Sequence, residues 1–375
     1  MTHQITLLGS QLLPVYWGIT EKSPDVIHVL YTKETREHLK TLKKMFSKAS
    51  FQTYQVDPYD FTGIRELVED IIFKNQDSEF QLNLTSGTKV MALACQSVFS
   101  TLEFDVFYID QKHRVFDLTK ESFDSVNGSI KIRTFLELSG HDKFKSQKLS
   151  DYTEKEKDLA RKVFDLTKSK SGMQKLFTAV RKNCSKIESI TSFSGSTHSG
   201  EKVSWQNGNL KLTLKNQTVS CQSKKAFQIV FGGLWWELVI AEITNKWKRS
   251  TEQLLGVDIE TKKIQGISKN EIDIILNTGT NLIFIECKSG MVSQADINKI
   301  RTVKRLYGGV SSKSILICRY IPRKDLLEKC LDLGIDVFTY HSGKINKNQN
   351  SNIIPIGNIN DINKKLDQLI RRFEI

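Results

Sequence analysis

Residues 1–118 alternate between short apolar runs and longer stretches in which apolar residues recur every three or four positions. The short runs are rich in Val, Ile, Phe and Tyr and are bounded by polar residues, which favours β-strands. We predict strands at Ile5–Leu8, Val26–Tyr31, Phe51–Val56, Phe80–Leu84, Asp105–Ile109 and Val115–Leu118. Helices are predicted at Lys33–Ala49, Phe61–Lys74 and Lys89–Phe99. This alternation is typical of an α/β domain with a parallel sheet and helices on both faces.

Two of these strands end in loops that suit a phosphate-bearing ligand. The first strand is followed by Gly9, Ser10 and Gln11, and the fourth runs through the segment TSGTK, Thr85–Lys89, into its helix. Hydroxyl groups, a glycine that allows close backbone approach and a lysine at a helix N-terminus all favour phosphate. The spacing matches neither a P-loop nor a GxGxxG motif, and TSGTK alone is equally typical of a turn with a helix cap.

A second pattern lies near the C-terminus. The apolar runs Glu271–Leu276 and Leu282–Lys288 flank the turn-rich segment NTGTN, which predicts a β-hairpin. Folding about Gly279 brings Asp273 opposite Ile285 or Glu286. Because side chains alternate along a strand, Glu286 and Lys288 share one face and Cys287 points to the other.

This hairpin gathers two carboxylates and an ammonium group in otherwise apolar strands, where unpaired charge is costly. Asp273 and Glu286 suit an oxygen-preferring metal ion such as Mg²⁺ or Mn²⁺. Lys288 could orient or help deprotonate an attacking water, or stabilise charge that develops on a phosphate. The pattern therefore indicates phosphodiester hydrolysis. The alternative is a cross-strand ion pair of no catalytic consequence.

The hairpin resembles the PD-(D/E)xK nuclease superfamily, in which an Asp ends one strand and a Glu-x-Lys lies on the next. In that family an earlier helix supplies a further glutamate, and the helical pattern of Phe231–Asn245 fits this position. The resemblance implies a restriction-endonuclease-like α/β domain with catalytic residues Glu237, Asp273, Glu286 and Lys288. It also implies that Asp273 and Glu286 are metal ligands. Glu242 is a weaker candidate than Glu237 for the glutamate that the helix supplies.

The order strand, TSGTK, helix resembles the CARF domains, Rossmann-like sensors that dimerise and bind a cyclic oligoadenylate across the twofold axis. The resemblance implies that the ligand contacts Ser10, Gln11, Thr85, Gly87, Thr88 and Lys89. Joined to a PD-(D/E)xK domain, this arrangement resembles the type III CRISPR ancillary nucleases that cyclic tetra-adenylate activates. We predict a CARF sensor domain at 1–149, a connector at 150–223 and a nuclease domain at 224–375.

The connector contains no recognisable chemical motif. Tyr152–Arg181 is predicted to be helical, Ser192–Gly200 to be a loop, and Val203–Ser220 to form two strands around Asn207 and Gly208. A degenerate winged-helix element that contacts nucleic acid is an alternative for this region.

Composition narrows the function further. The formal net charge of +13 suits a polyanionic partner. Six cysteines occur without a CxxC pair or a His/Cys cluster, which indicates reduced thiols and argues against a zinc site. No basic segment precedes the N-terminal apolar run, and no apolar run is long enough to span a membrane, so a cytoplasmic protein is expected.

The sequence therefore predicts a homodimeric, metal-dependent endonuclease that cyclic tetra-adenylate activates in antiviral defence. Its substrate is DNA, RNA or both. Two alternatives remain: a restriction- or repair-type endonuclease that needs no ligand, and a non-catalytic, nucleotide-responsive DNA-binding regulator.

Overall fold

A computed structural model describes residues 1–168, 172–184, 187–215, 217–260, 268–308, 312–341 and 353–374. The chain divides into two compact units. Unit 1 comprises Met1–Lys143, Asn277–Leu282 and Lys304–Ser312. Unit 2 comprises Phe144–Leu276, Ile283–Val303 and Lys313–Ile375. The predicted connector at 150–223 therefore lies in unit 2, and the division into sensor, connector and nuclease domains stays a prediction.

Unit 1 is built on a seven-stranded sheet in the order β3-β2-β1-β4-β5-β6-β7. Its strands are β1 (Thr2–Leu8), β2 (Val26–Tyr31), β3 (Ser50–Gln55), β4 (Glu79–Asn83), β5 (Asp105–Ile109), β6 (Arg114–Asp117) and β7 (Ser122–Ser125). The first five are parallel, and β6 and β7 are antiparallel additions at one edge. The strand order reverses between β1 and β4, so the loops that follow these two strands meet at the switch point.

The described residues of unit 1 include five α-helices: α1 (Leu13–Lys22), α2 (Arg36–Met45), α3 (Phe61–Phe73), α4 (Lys89–Phe99) and α5 (Ile132–Leu138). α3 and α4 bury their apolar stripes against residues such as Leu7, Leu30 and Leu82 on one face. α1 packs against β1 and β5 on the other face. Thr88 begins α4 as its N-cap because its hydroxyl accepts the Met91 N–H at 3.2 Å.

Unit 2 contains a second seven-stranded sheet, in the order β18-β17-β16-β15-β14-β13-β8. Its strands are β8 (Phe144–Gln147), β13 (Glu252–Glu260), β14 (Ser268–Asn277), β15 (Leu282–Lys288), β16 (Lys313–Tyr320), β17 (Ile335–His341) and β18 (Ile353–Pro355). β15 to β18 are parallel, and β8 pairs antiparallel with β13.

The helices of unit 2 are α6 (Glu154–Lys168), α7 (Met173–Asn183), α8 (Ala226–Phe231), α9 (Leu234–Thr244), α10 (Gln294–Val303), α11 (Lys324–Asp332) and α12 (Ile362–Glu374). α9 is apolar almost all round and lies in the main core, where Trp235 and Trp236 are buried. α10 and α11 form a second core on strands β16 and β17. A π-helix at Lys304–Gly308 follows α10 directly.

A separate four-stranded antiparallel sheet completes unit 2, in the order β12-β11-β10-β9. Its strands are β9 (Ser192–Ser196), β10 (Lys202–Gln206), β11 (Asn209–Leu214) and β12 (Gln217–Gln222). The turn at Asn207 and Gly208 is confirmed, since Gln206 pairs with Asn209. The prediction of two strands over Val203–Ser220 is wrong, because β10, β11 and the first part of β12 all lie in this range. The predicted loop at Ser192–Gly200 is wrong for its first five residues, which form β9. A strand with Phe193 as its one large apolar residue carries too weak an alternation to be recognised from sequence.

Within the parts of the chain that the structure describes, no helix has the length and apolar character that a membrane crossing requires.

Candidate functional site

Two buried carboxylates lie on neighbouring strands of unit 2. Asp273 on β14 is 7% exposed and Glu286 on β15 is 4% exposed. One oxygen of Asp273, Oδ2, accepts the backbone N–H of Cys287 at 2.7 Å. This hydrogen bond fixes the Asp273 side chain against the strand that carries Glu286.

Two lysines neutralise this pair. Lys288 Nζ lies 2.9 Å from Glu286 Oε1, as the predicted shared face requires. Lys299 on α10 contacts both carboxylates, with Nζ at 2.9 Å from Glu286 Oε1 and 3.7 Å from Asp273 Oδ1. The structure thus brings together Asp273, Glu286 and Lys288, and adds Lys299 to them.

The electrostatics of this cluster shift the pKa of Asp273. Burial and the neighbouring Glu286 raise it to about 7, although Lys299, the Cys287 N–H and Lys288 act in the opposite direction. Burial alone lowers the pKa of Lys288 and of Lys299, but Glu286 and Asp273 outweigh burial and hold both values above the usual range. The cluster therefore favours a cation beside the two carboxylates.

Glu237 lies in the first turn of α9, and its side chain is half-buried. Burial, followed by the charges of Asp273, Glu271 and Glu286, raises its pKa well above the usual range. The indole N–H of Trp236 anchors α9 to the sheet by donating to the Ile317 carbonyl at 3.1 Å. Glu237 therefore interacts electrostatically with the carboxylates of Asp273 and Glu286.

The weaker candidate Glu242 lies elsewhere. Its Oε1 is 2.6 Å from Nη1 of Arg161 on α6, so the Glu242 carboxylate forms an ion pair with this arginine. Five residues correspond to roughly 140° of rotation beyond a full helical turn, so Glu237 and Glu242 cannot face the same side of α9.

Sequence reasoning did not place two residues of α10 in this cluster. Besides Lys299, Asp296 contributes by holding Lys288, with Oδ1 at 3.1 Å from Nζ. Asp296 also forms a reciprocal capping box with Ser293: Oδ2 accepts the Ser293 N–H at 2.8 Å, and the Ser293 hydroxyl accepts the Asp296 N–H at 3.3 Å. The S-x-x-D spacing signals this helix start in the sequence, but it does not reveal that the helix points at the hairpin.

Among the residues that the structure describes, no group of three or more His, Cys, Asp or Glu side chains is arranged to hold a metal ion. The donor chemistry nevertheless suits a hard divalent cation, because both carboxylates are buried and the Lys299 ammonium already lies between them. The Lys299 ammonium supplies the positive charge that balances the two buried carboxylates.

In unit 1 the two predicted ligand loops meet. The backbone N–H of Gly9, after β1, donates to Ser86 Oγ, after β4, at 2.9 Å. Gly87 adopts a φ of +78°, and a Cβ at this position would lie 2.9 Å from Leu7 Cβ. The TSGTK turn is therefore seated tightly on the end of β1, and Ser86, which the sequence did not single out, connects the two loops.

The six predicted ligand residues divide into two groups. Ser10 and Gln11 are exposed and line a cavity of about 370 Å³ together with Thr85. Thr85 donates its hydroxyl to the Asn83 side-chain oxygen and accepts the Ile109 N–H at 2.8 Å. The other three lie outside the described lining of this cavity: Gly87 and Lys89 are exposed, and Thr88 donates to the Pro58 carbonyl at 2.7 Å while it caps α4.

Residues 4–135 match the family model of the Card1 CARF domain. The N-terminal unit is therefore a CARF Rossmann-like domain, and unit 2 is a second α/β domain, as the sequence predicts. The PD-(D/E)xK assignment of unit 2 stays a prediction.

Several solved structures share this fold over nearly the whole chain. Can2 from Sulfobacillus thermosulfidooxidans, solved in complex with cyclic tetra-adenylate, matches with a TM-score of 0.70 at 19% identity and 99% coverage of both chains. Protein VC1899 from Vibrio cholerae matches with a TM-score of 0.71 at 15% identity, over 99% of this chain and 98% of its own. A type III CRISPR defence DNA nuclease activated by cyclic oligoadenylate matches with a TM-score of 0.58 at 14% identity, over 98% of this chain and 51% of its own.

At these identities the likeness shows the fold alone. A comparison with curated proteins found no match to this sequence.

Proposed function

We propose that this protein is a metal-dependent endonuclease of type III CRISPR antiviral defence, activated by cyclic tetra-adenylate. The CARF domain supports a cyclic oligoadenylate ligand, and the Can2 structure of similar fold contains cyclic tetra-adenylate. The nuclease of similar fold supports phosphodiester hydrolysis as the output. The proposed assembly is a cytoplasmic homodimer.

The observation that carries the nuclease assignment is the Lys299 ammonium between the Asp273 and Glu286 carboxylates. In the proposed active state the Asp273 and Glu286 carboxylates would hold Mg²⁺ or Mn²⁺, and Glu237 would support this site from α9. Such an ion would supply an activated water and neutralise charge on the phosphate.

The chain's own groups provide positioning and charge. Glu286 and Asp296 hold the Lys288 ammonium from two sides, so its N–H groups have a defined direction. A positioned ammonium can orient the attacking water and stabilise negative charge that develops on the phosphate. Asp273 is fixed by the Cys287 N–H, which leaves its second oxygen directed at the cation position.

The proposed activator site is the switch point of unit 1. Ser10, Gln11 and Thr85 line its cavity, and Gly87, Thr88 and Lys89 lie where α4 begins. The exposed Lys89 and the N-terminal amides of α4 favour an anionic ligand. Cyclic tetra-adenylate would activate cleavage only by contacting the active arrangement better than the idle one.

A cleavage assay tests this proposal. The purified full-length protein is incubated with Mn²⁺ or Mg²⁺ and with single- and double-stranded DNA and RNA, with and without cyclic tetra-adenylate. We expect metal-dependent cleavage only when the activator is present. Glu286→Gln should abolish cleavage and retain activator binding, whereas Glu328→Gln, a change at an exposed position on α11, should leave both intact.

Other outcomes identify the alternatives. Cleavage that ignores the activator indicates a ligand-independent endonuclease. Activator binding without cleavage of any substrate, with either metal, indicates a non-catalytic regulator. Undiminished cleavage by Glu286→Gln contradicts the assigned active site.

A further inference from the structure

A small cavity lies directly after the strand that carries Glu286 and Lys288. Its volume is about 120 Å³, well above the roughly 10–15 Å³ that one water molecule needs. One wall is formed by Ser289–Met291, which follow Lys288 in the chain. No carboxylate occurs among the described residues that line it.

Arg319 lines this cavity and has one unused donor. The residue is 4% exposed and lies at the end of β16, beyond Cys318, the strand partner of Lys288. Its Nη2 donates to the Thr167 carbonyl at 2.6 Å, but its buried Nε has no hydrogen-bond partner within the described structure. A buried guanidinium with an unsatisfied N–H is costly unless an anion completes it.

A second guanidinium, that of Arg181, also lines the cavity. Both terminal nitrogens of Arg181, on α7, are 4.0 Å from the position that a Cβ on Gly290 would occupy. Arg181 is exposed, so its side chain approaches the Ser289–Met291 segment from the solvent side. The cavity is thus bounded by one buried and one accessible cation.

The start of α9 adds to this positive potential. Gly233 is the N-cap residue of α9; it has a φ of +95° and provides no side-chain cap. A Cβ on Gly233 would lie 3.5 Å from Ser289 Oγ, so the helix begins against the same segment. Uncapped amides at a helix N-terminus bind anions, and the buried Nε of Arg319 is an independent indication of one.

We propose that this cavity binds a backbone phosphate of the substrate strand, next to the phosphodiester that is cut. The inference rests on the proposed nuclease function. Glu237 lies four residues after Gly233, about 6 Å along the helix, and Ser289 follows Lys288 directly. One nucleic-acid strand can therefore reach both the cavity and the carboxylates. Arg319 and the α9 amides bind the phosphate from inside, and Arg181 closes over it.

The test compares Arg181→Gln with Lys182→Gln in the full-length protein. Lys182 is the neighbouring exposed cation on α7, and it does not line the cavity. Each variant removes one positive charge, so only the position of the lost charge differs. With Mn²⁺ and cyclic tetra-adenylate, Arg181→Gln should raise KM about tenfold and leave kcat within about twofold, as loss of uniform substrate binding does. Lys182→Gln should change neither constant by more than about twofold.

Binding provides a readout that does not require cleavage. In EDTA and cyclic tetra-adenylate, the affinity for fluorescein-labelled single-stranded DNA and RNA is measured against salt concentration. Loss of one phosphate contact should reduce the slope of log K against log salt by about 0.7 for Arg181→Gln. The slope for Lys182→Gln should stay at the wild-type value.

Equal effects of the two variants would overturn the proposal, because they indicate diffuse attraction. A fall in kcat without a rise in KM would overturn it as well. If the wild type cuts nothing but the slope changes only in Arg181→Gln, the subsite stands and the nuclease function fails. If the wild type cuts and Arg181→Gln matches it in both assays, the nuclease function stands and the subsite fails.

Discussion

Glu286 Oε1 lies 2.9 Å from two ammonium nitrogens, those of Lys288 and Lys299. Two cations repel each other at such close range unless they share buried negative charge, which Asp273 and Glu286 supply together. The two lysines differ in their support. Asp296 holds Lys288 from a second side, whereas Lys299 bridges the two carboxylates. This difference supports the proposal that Lys288 acts on the substrate and that Lys299 marks the cation position.

Removal of Lys299 tests this assignment. In Lys299→Met the carboxylates lose the ammonium that lies between them, so we expect Mn²⁺ to bind about tenfold more tightly, or ~1.4 kcal/mol. Isothermal titration calorimetry without substrate measures this affinity. Arg301→Met removes one exposed positive charge from the same helix and serves as the control. Equal affinity gains in both variants would mean that only net charge matters.

The parts of this site that come from one hairpin could be predicted from sequence, and the parts from α10 could not. Asp273, Glu286 and Lys288 follow from the two-residue period of strands β14 and β15. Lys299 reaches them because α10 packs back onto the sheet through Ile297 and Ile300. That packing depends on tertiary contacts, which no local pattern encodes.

The same distinction between local sequence patterns and tertiary packing applies to whole strands and helices. The predicted bounds of β2, β5 and α4 agree with the structure because turn-forming residues limit each apolar run. α1 was not predicted, since its apolar residues are nearly continuous and Pro14 stands at its start. The helix predicted at Lys33–Ala49 is shorter in the structure, where α2 spans Arg36–Met45 and Thr35 precedes its first residue.

The loop between β4 and α4 depends on Gly87, and Gly87→Ala tests that dependence. A side chain there meets a φ of +78° and a contact of 2.9 Å with Leu7 Cβ. We expect a loss of about 2–3 kcal/mol in stability and weaker binding of cyclic tetra-adenylate. Differential scanning calorimetry measures the stability and titration calorimetry the binding.

Gly200→Ala separates the stability cost of backbone strain from the cost of a steric contact. Gly200 has a φ of +92°, but no atom lies within 4 Å of the position that a Cβ there would occupy. We expect a cost of only about 1 kcal/mol at this site. A Gly87→Ala variant no less stable than Gly200→Ala would contradict the tight seating of the TSGTK turn on β1.

At the scale of the whole molecule, unit 1 is assembled from three separate parts of the chain. The Asn277 side chain donates to the Ile130 carbonyl at 2.6 Å, and the Ile130 N–H donates to the Gly279 carbonyl at 2.9 Å. The Ser139 hydroxyl donates to the Tyr307 carbonyl at 3.3 Å. A fragment that ends at residue 149 lacks these partners, so experiments on unit 1 require the full chain.

Each unit has its own core, so thermal unfolding of the full chain need not be a single transition. Unit 1 should lose stability in acid, because it buries His28 completely. His28 Nε2 lies 2.9 Å from His3 Nδ1, and its Nδ1 lies 3.2 Å from the Tyr54 hydroxyl. Burial, and then the like charge of His3, lowers the pKa of His28 from 6.5 to about 4.

Because the folded-state pKa lies below that of the unfolded chain, the unfolded state binds more protons between these two values. The stability of unit 1 should therefore fall as the pH drops through this window, by about 2 kcal/mol between pH 7 and pH 5. Calorimetric scans at the two pH values measure this loss, and the transition that Gly87→Ala moves identifies unit 1.

His28→Phe keeps an aromatic ring in the stack with His3 and Tyr54 and should remove most of the loss. His198→Phe, at an exposed loop position, should retain it. An unchanged pH dependence in His28→Phe would assign the acid sensitivity of unit 1 to other groups.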